Sequence, residues 1–224
     1  MQTNKKLKQL IYRYRHAWVL LYGLIYMPWF CYLEKHRFSH YYLIHSPLDD
    51  YIPFVEYFII PYLLWFLFIA ITMGYFFFTD RKGFYQLTAF LFTGMTIFLI
   101  ICTLFPNELN LRPHTFANDN ICTRLVARLY RTDTPTNVLP SIHVYNSIGA
   151  AIAIGHSEAL KKHRGIQCIA YMLCGLIILS TMFLKQHSVT DVIAAVALAF
   201  IVYPLVYIAQ TKRAPKLSQQ PINT

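Results

Sequence analysis

Residues 165–210 read GIQCIAYMLCGLIILSTMFL, then KQHSVTD, then VIAAVALAFIVYPLVYIAQ. Two charge-free runs, Gly165–Leu184 and Val192–Gln210, flank a short hydrophilic link that gathers Lys185, His187 and Asp191. Each run is close to the 20 or so residues that a helix needs to cross the hydrocarbon core of a bilayer. In lipid the backbone must satisfy its hydrogen bonds internally, so a helix is the expected structure. Ionisable side chains at the ends of such helices are costly to place, and by default they mark a functional site.

The same pattern extends back along the chain. Tyr57–Thr79 and Gly83–Asn107 are also free of charge, and His16–Leu33 and Val138–Ser157 are weaker apolar segments, the second interrupted by His143 and Asn146. With 56% hydrophobic and 13% charged residues, the chain carries about half the charge of a soluble domain. The expected fold is an all-α integral membrane protein, a bundle of six transmembrane helices forming one domain over residues 17–210. A basic segment, 1–16, precedes it as an uncleaved signal-anchor start, because no small-residue cleavage site follows the first apolar run. A polar tail, 211–224, follows it and is expected to be disordered.

Net charge is +10 and unevenly placed. With the N-terminus inside and six crossings, 13 basic residues fall on the cytoplasmic side with only Asp80 and Glu158 opposing them. The other side holds 7 basic and 8 acidic residues. This distribution follows the positive-inside rule and predicts both termini in the cytoplasm. Short basic clusters at helix ends explain the charge better than nucleic-acid binding does, and no nucleic-acid partner is expected. Of the five cysteines, Cys102, Cys168 and Cys174 fall in apolar spans, while Cys31 and Cys122 face outward and leave a bridge open. Strand signals are absent.

Two outer segments remain. Glu34–Val55, rich in tyrosine and histidine, suits a solvated or interfacial loop; its His36, His40, His45, Asp49 and Asp50 have no compact metal-ligand spacing. Residues 106–139 form the longest stretch outside the spans, and such long connections are usually functional. That stretch carries Arg112-Pro113, Arg124, Arg128, Arg131 and Asp133, with a short surface helix expected over Leu125–Tyr130.

Pro140-Ser141-Ile142-His143 opens a helix, with Pro140 suited to its first turn. Free N–H groups at such an end bind phosphate, and Ser141 adds a hydroxyl. His187 and Asp191 are four apart and are expected on one helix face. A carboxylate taking one imidazole proton leaves the other nitrogen as a lone pair, and so makes a nucleophile. In a six-span topology both histidines and Arg112 reach the same aqueous face. Each feature alone has a bland alternative, a helix start or a structural His–Asp pair; their convergence favours phosphoryl chemistry.

Together these residues resemble the phosphatidic acid phosphatase type 2 superfamily. Its pattern is a Lys, six residues and Arg-Pro; then Pro-Ser-x-His; then Ser-Arg, five residues, His, three residues and Asp. Arg112-Pro113, Pro140-Ser141-Ile142-His143, and Ser180, His187 and Asp191 match it over roughly Phe105–Asp191. Two positions depart: Phe105 stands for the Lys and Thr181 for the second Arg. Lys185 could supply one missing charge, and Arg124, Arg128 or Arg131 another. Asp133-Thr134-Pro135-Thr136-Asn137 and Lys185-Gln186-His187 are similar to the branch that includes inositol phosphorylceramide synthases.

The resemblance implies a lipid phosphatase or phosphotransferase of a membrane, without metal or cofactor. His187 is the implied nucleophile, His143 the general acid and base, and Asp191 the residue orienting His187. Arg112, Ser141, Lys185 and Ser180 are the implied phosphate-binding residues. The implied partner is a lipid phosphate reached from the extracytoplasmic side. Short loops suggest a bacterial plasma membrane.

Overall fold

The computed structural model describes residues 12–208. The expected 211–224 tail lies outside the described residues, as does most of the expected 1–16 segment. Seven α-helices are present among them: α1 (Gly23–Lys35), α2 (Ile59–Thr79), α3 (Arg81–Leu104), α4 (Ile121–Thr132), α5 (Ile142–His156), α6 (Arg164–Phe183) and α7 (Val189–Tyr203). A 3-10 helix, Arg15–Tyr22, leads into α1, and a π-turn, Pro204–Ile208, extends α7.

Among the described residues, five helical segments are long and apolar enough to cross a membrane: Arg15–Lys35, Glu56–Thr79, Arg81–Leu104, Arg164–Phe183 and Val189–Ile208. The segment expected as the fourth of six spans, Val138–Ser157, forms the 15-residue α5 instead. At 1.5 Å per residue it is about 22 Å long, short of the ~30 Å hydrocarbon core. α5 is the hub of the bundle and packs on α2, α3, α6 and α7. Small residues let it: Ser147, Gly149, Ala150, Ala151 and Ala153 are all buried, and close approach of backbones is how helices associate in lipid. A Cβ on Gly149 would come within 2.6 Å of the Phe90 ring on α3. The Tyr145 ring stacks on Phe90 at 4.7 Å and donates its hydroxyl proton to the Phe90 carbonyl.

Helix starts differ slightly from the sequence reading. α3 begins at Arg81 rather than Gly83, because the Asp80 carboxylate caps it by accepting the Gly83 N–H at 3.0 Å. Pro140 lies outside α5: Ser141 is the cap, its hydroxyl oxygen facing the Val144 N–H at 3.4 Å. The outer helix α4 is longer than Leu125–Tyr130, capped reciprocally by Asn120 and Thr123. Strand structure exists where none was expected. β1 (Tyr42–Leu43) pairs in parallel with β2 (Asn107–Glu108). Two-residue strands are too short to leave a periodic signal in sequence. Cys31 and Cys122 are both free thiols, so no bridge joins them.

Candidate active site

The segments 34–55 and 106–139 cover one end of the bundle, and two polar residues fasten them. Asn107 is fully buried; its side-chain oxygen accepts the Val138 and Leu139 N–H groups at 2.7 and 3.0 Å. This fixes the approach to Ser141 and α5. Glu56, at the start of the second span, accepts from Asn118 and Asn120, and so ties the outer loop to the bundle.

The turn from α6 to α7 carries the other half of the site. Lys185 adopts φ 54°, the left-handed conformation that ends many helices. The Thr181 carbonyl then accepts two N–H groups, from Gln186 at 2.9 Å and His187 at 3.0 Å. Tyr130 of α4 donates its hydroxyl proton to the Leu184 carbonyl at 2.6 Å. Ser188 caps α7, and its own N–H donates to Asp191 Oδ2 at 2.9 Å.

His187 therefore lies before α7 rather than on its face, and the capping box brings Asp191 to it. Asp191 Oδ2 stands 3.3 Å from His187 Nδ1, buried from solvent. With the Nδ1 proton given to the carboxylate, Nε2 keeps the lone pair.

His143, in the first turn of α5, has its ring centre 5.9 Å from that of His187. Its ring is held between Tyr62 at 4.6 Å and Trp65 at 4.4 Å, both on α2. The two imidazoles line one cavity of about 400 Å³. Apolar walls come from Tyr26, Met27 and Phe30 of α1, Phe66 of α2 and Phe98 of α3; a polar wall holds Glu34, Asp133, Thr134, Asn137 and Gln186. Burial raises the Asp133 carboxyl above its ordinary range, while the charge of Arg112 pulls it down.

The remaining expected site residues are placed as follows. Arg112 lies behind the cavity wall: its guanidinium donates to the carbonyls of Tyr130, Asp133 and Thr134 and to Gln186 Oε1, and lies 4.7 Å from the Tyr130 ring centre. Ser141 and Ser180 are fully buried, and neither lines the cavity. Ser180 donates its hydroxyl proton to the Ile177 carbonyl. Lys185 turns away, its ammonium donating to the Asp49 carbonyl at 2.7 Å; burial lowers its pKa against the pull of Asp49 and Asp50. Arg124, Arg128 and Arg131 are exposed, with Arg124 paired to Asp119. No described residue group could hold a metal ion.

Phe105, in place of the Lys, stacks on Tyr42 at 4.1 Å and belongs to the small outer core with Ile44, Leu109 and Val138. Thr181, in place of the Arg, is fully buried and donates its hydroxyl proton to Ile178. The sequence reading missed Asp49. It treated residues 34–55 as a solvated or interfacial loop, yet Asp49 is only 2% exposed. Its carboxylate accepts the Ser188 hydroxyl at 2.6 Å, the Val189 N–H at 2.8 Å and the Ser46 N–H at 2.8 Å. The available signal was local: Ser-Pro-x-Asp at 46–49 is a capping box with proline after the cap.

A family model described as PAP2 superfamily matches residues 84–215. The chain belongs to the PAP2 superfamily. No curated protein and no solved structure matches it. The matched region of this PAP2 chain begins in α3 and includes both histidines, Arg112 and Asp191. It leaves out the N-terminal third, so Asp49, Glu34, Tyr62 and Trp65 are additions to the site from outside the match. PAP2 superfamily members are phosphatases or phosphotransferases, and membership supports an enzyme of that class for this chain.

Proposed function

We propose that the protein is a membrane lipid phosphate phosphatase that hydrolyses a phosphomonoester or diphosphate of a lipid through a phosphohistidine. The observation that carries this reading is the pair of imidazoles, ring centres 5.9 Å apart, in a cavity with one apolar wall from three helices and one polar wall. That centre-to-centre spacing puts both rings within reach of a single phosphoryl group. The apolar side suits a lipid tail, and Met27 and Phe66 on its rim are exposed.

In the first step, His187 Nε2 attacks phosphorus as the P–O bond to the leaving group breaks. His143, protonated, gives its proton to the departing oxygen. Asp191 holds Nδ1–H and offsets the positive charge that grows on the ring. In the second step, neutral His143 takes a proton from water, the oxygen attacks phosphorus, and the P–N bond breaks to release phosphate and free His187.

The basic turns around Arg81–Lys82 and Lys161–Arg164 lie at helix ends opposite the histidines, which supports a cytoplasmic assignment for that end and an extracytoplasmic active site. With α5, enclosed by its neighbouring helices, counted as a sixth crossing completed at its ends by non-helical chain buried in protein, both termini fall in the cytoplasm, in a bacterial plasma membrane.

A second reading has an alcohol rather than water as acceptor, as in inositol phosphorylceramide synthase-like proteins. It is favoured by the hydroxyls of Thr132, Thr134 and Thr136 on the polar wall, which could hold a hydroxylated acceptor. One experiment separates the readings. Purified protein is given lipid phosphates with and without alcohol acceptors, and free phosphate and new phosphodiesters are both measured. His187→Ala should abolish turnover with folding retained; unchanged turnover would reject His187 as nucleophile, and folded wild-type protein that turns over no lipid phosphate would point to a non-catalytic membrane protein instead.

A further inference from the structure

The cavity that should bind an anion has no cation in its lining. Among its lining residues there is neither Lys nor Arg. The two positions where the family pattern has Lys and Arg hold Phe105 and Thr181, both committed to packing or to backbone bonds. Lys185, the nearest substitute in sequence, donates to Asp49 instead. Arg112 spends its terminal N–H groups on three carbonyls and one carboxamide.

That carboxamide belongs to Gln186, which precedes His187, lines the cavity and is 3% exposed. Arg112 takes its oxygen, which settles the orientation of the amide: oxygen toward the guanidinium, NH₂ on the other side. The NH₂ group has no hydrogen-bond partner among the described residues. Trp65, on α2, repeats the pattern. Its indole N–H is buried without a partner, and its ring lies 4.4 Å from that of His143. Buried donors left unmade are rare and costly, and two of them flank the same pair of imidazoles.

We infer that Gln186 Nε2 and Trp65 Nε1 are the phosphoryl-binding donors of this enzyme, uncharged replacements for the family's cations. This rests on the phosphohistidine reading for its chemistry, but anion binding tests it separately. Arg112, whose Nε–H is likewise buried without a partner among the described residues, holds the Gln186 oxygen and so positions its NH₂ group. A neutral donor to phosphoryl oxygens serves as an oxyanion hole does, holding the bound anion and strengthening as charge redistributes.

The test measures binding of orthovanadate, as a phosphate mimic, to purified protein in detergent by calorimetry, and turnover of lipid phosphate in parallel. Gln186→Leu removes one donor and Trp65→Phe the other while keeping an aromatic ring beside His143. Each should weaken orthovanadate binding at least tenfold and lower kcat by about 10²-fold, the loss typical of one oxyanion donor. Gln186→Met, similar in length and uncharged but without an N–H donor, should lose binding as fully as the Leu variant, and it decides the matter if that variant fails to fold. Binding within threefold of wild type in a folded Gln186 variant overturns the role of Gln186, and the same result in Trp65→Phe overturns that of Trp65. Folded wild-type protein that does not bind orthovanadate overturns both. If His187→Ala keeps turnover, the phosphohistidine reading fails while these binding results still decide the donors.

Discussion

Asp49→Ala should disable the site from a distance. Two of the three hydrogen bonds that the Asp49 carboxylate accepts come from the start of α7, the Ser188 hydroxyl at 2.6 Å and the Val189 N–H at 2.8 Å. Hydrogen bonds to a charged partner contribute about 1.5–3 kcal/mol each, so removing both should cost about 3–6 kcal/mol. For a chain of this size, at roughly 2–4 °C per kcal/mol, the melting temperature should fall by roughly 6–24 °C. Asn at this position keeps one accepting oxygen and should lose about half as much. The functional effect follows from what those donors hold. Ser188 caps the helix whose third residue, Asp191, orients His187. Losing that anchor lets the imidazole drift, and a misplacement on the order of 1 Å costs about 10²-fold in rate. The assay is kcat for phosphate release at saturating lipid phosphate, measured well below the melting temperature of each variant and alongside thermal melting in detergent. A variant that melts lower but keeps kcat within about threefold would refute the positional argument and leave Asp49 a purely structural cap.

Three further outcomes are expected. Lys185→Ala should lower kcat by less than about tenfold, against the ~10²-fold expected of a charge contacting the phosphoryl group, because its ammonium is bonded to the Asp49 carbonyl; steady-state kinetics decides it. Asp133 has a folded-state pKa raised above 3.8 by burial, so its contribution to stability is present below that value and lost as pH rises through the folded pKa; melting curves should show that loss in wild type and not in Asp133→Asn. Gly94→Ala would drive a methyl group into the Tyr145 ring, which is pinned by Phe90 stacking and a hydroxyl bond, and overpacking should cost about 1–3 kcal/mol in thermal melting.

Hydropathy and charge spacing made the helical membrane character legible, since each charge-free run is a one-dimensional property that lipid reads directly. Motif spacing identified His143, His187 and Asp191, because Pro-Ser-x-His and His-x-x-x-Asp are local patterns. Local patterning was less reliable about how those residues are held. The His187–Asp191 pair was expected along a helix face and instead forms through the capping box at the start of α7. The length of α5 was overestimated because an apolar run marks what can be buried, and not where a cap ends the helix.

Sequence alone determined the chemistry on offer: which side chains can carry a proton, accept a hydrogen bond or sit in lipid, each set by residue type and near neighbours. Tertiary structure decided the partnerships between segments far apart in the chain. Asp49 reaches Ser188 across 139 positions, Arg112 reaches Gln186 across 74, and Trp65 meets His143 from another helix. Burial by those segments separates the groups that line the cavity from those, such as Lys185 and Ser180, whose bonds are already taken by the backbone. Hydrogen bonding saturates, and which donor is left over for a ligand depends on every neighbour that the fold supplies.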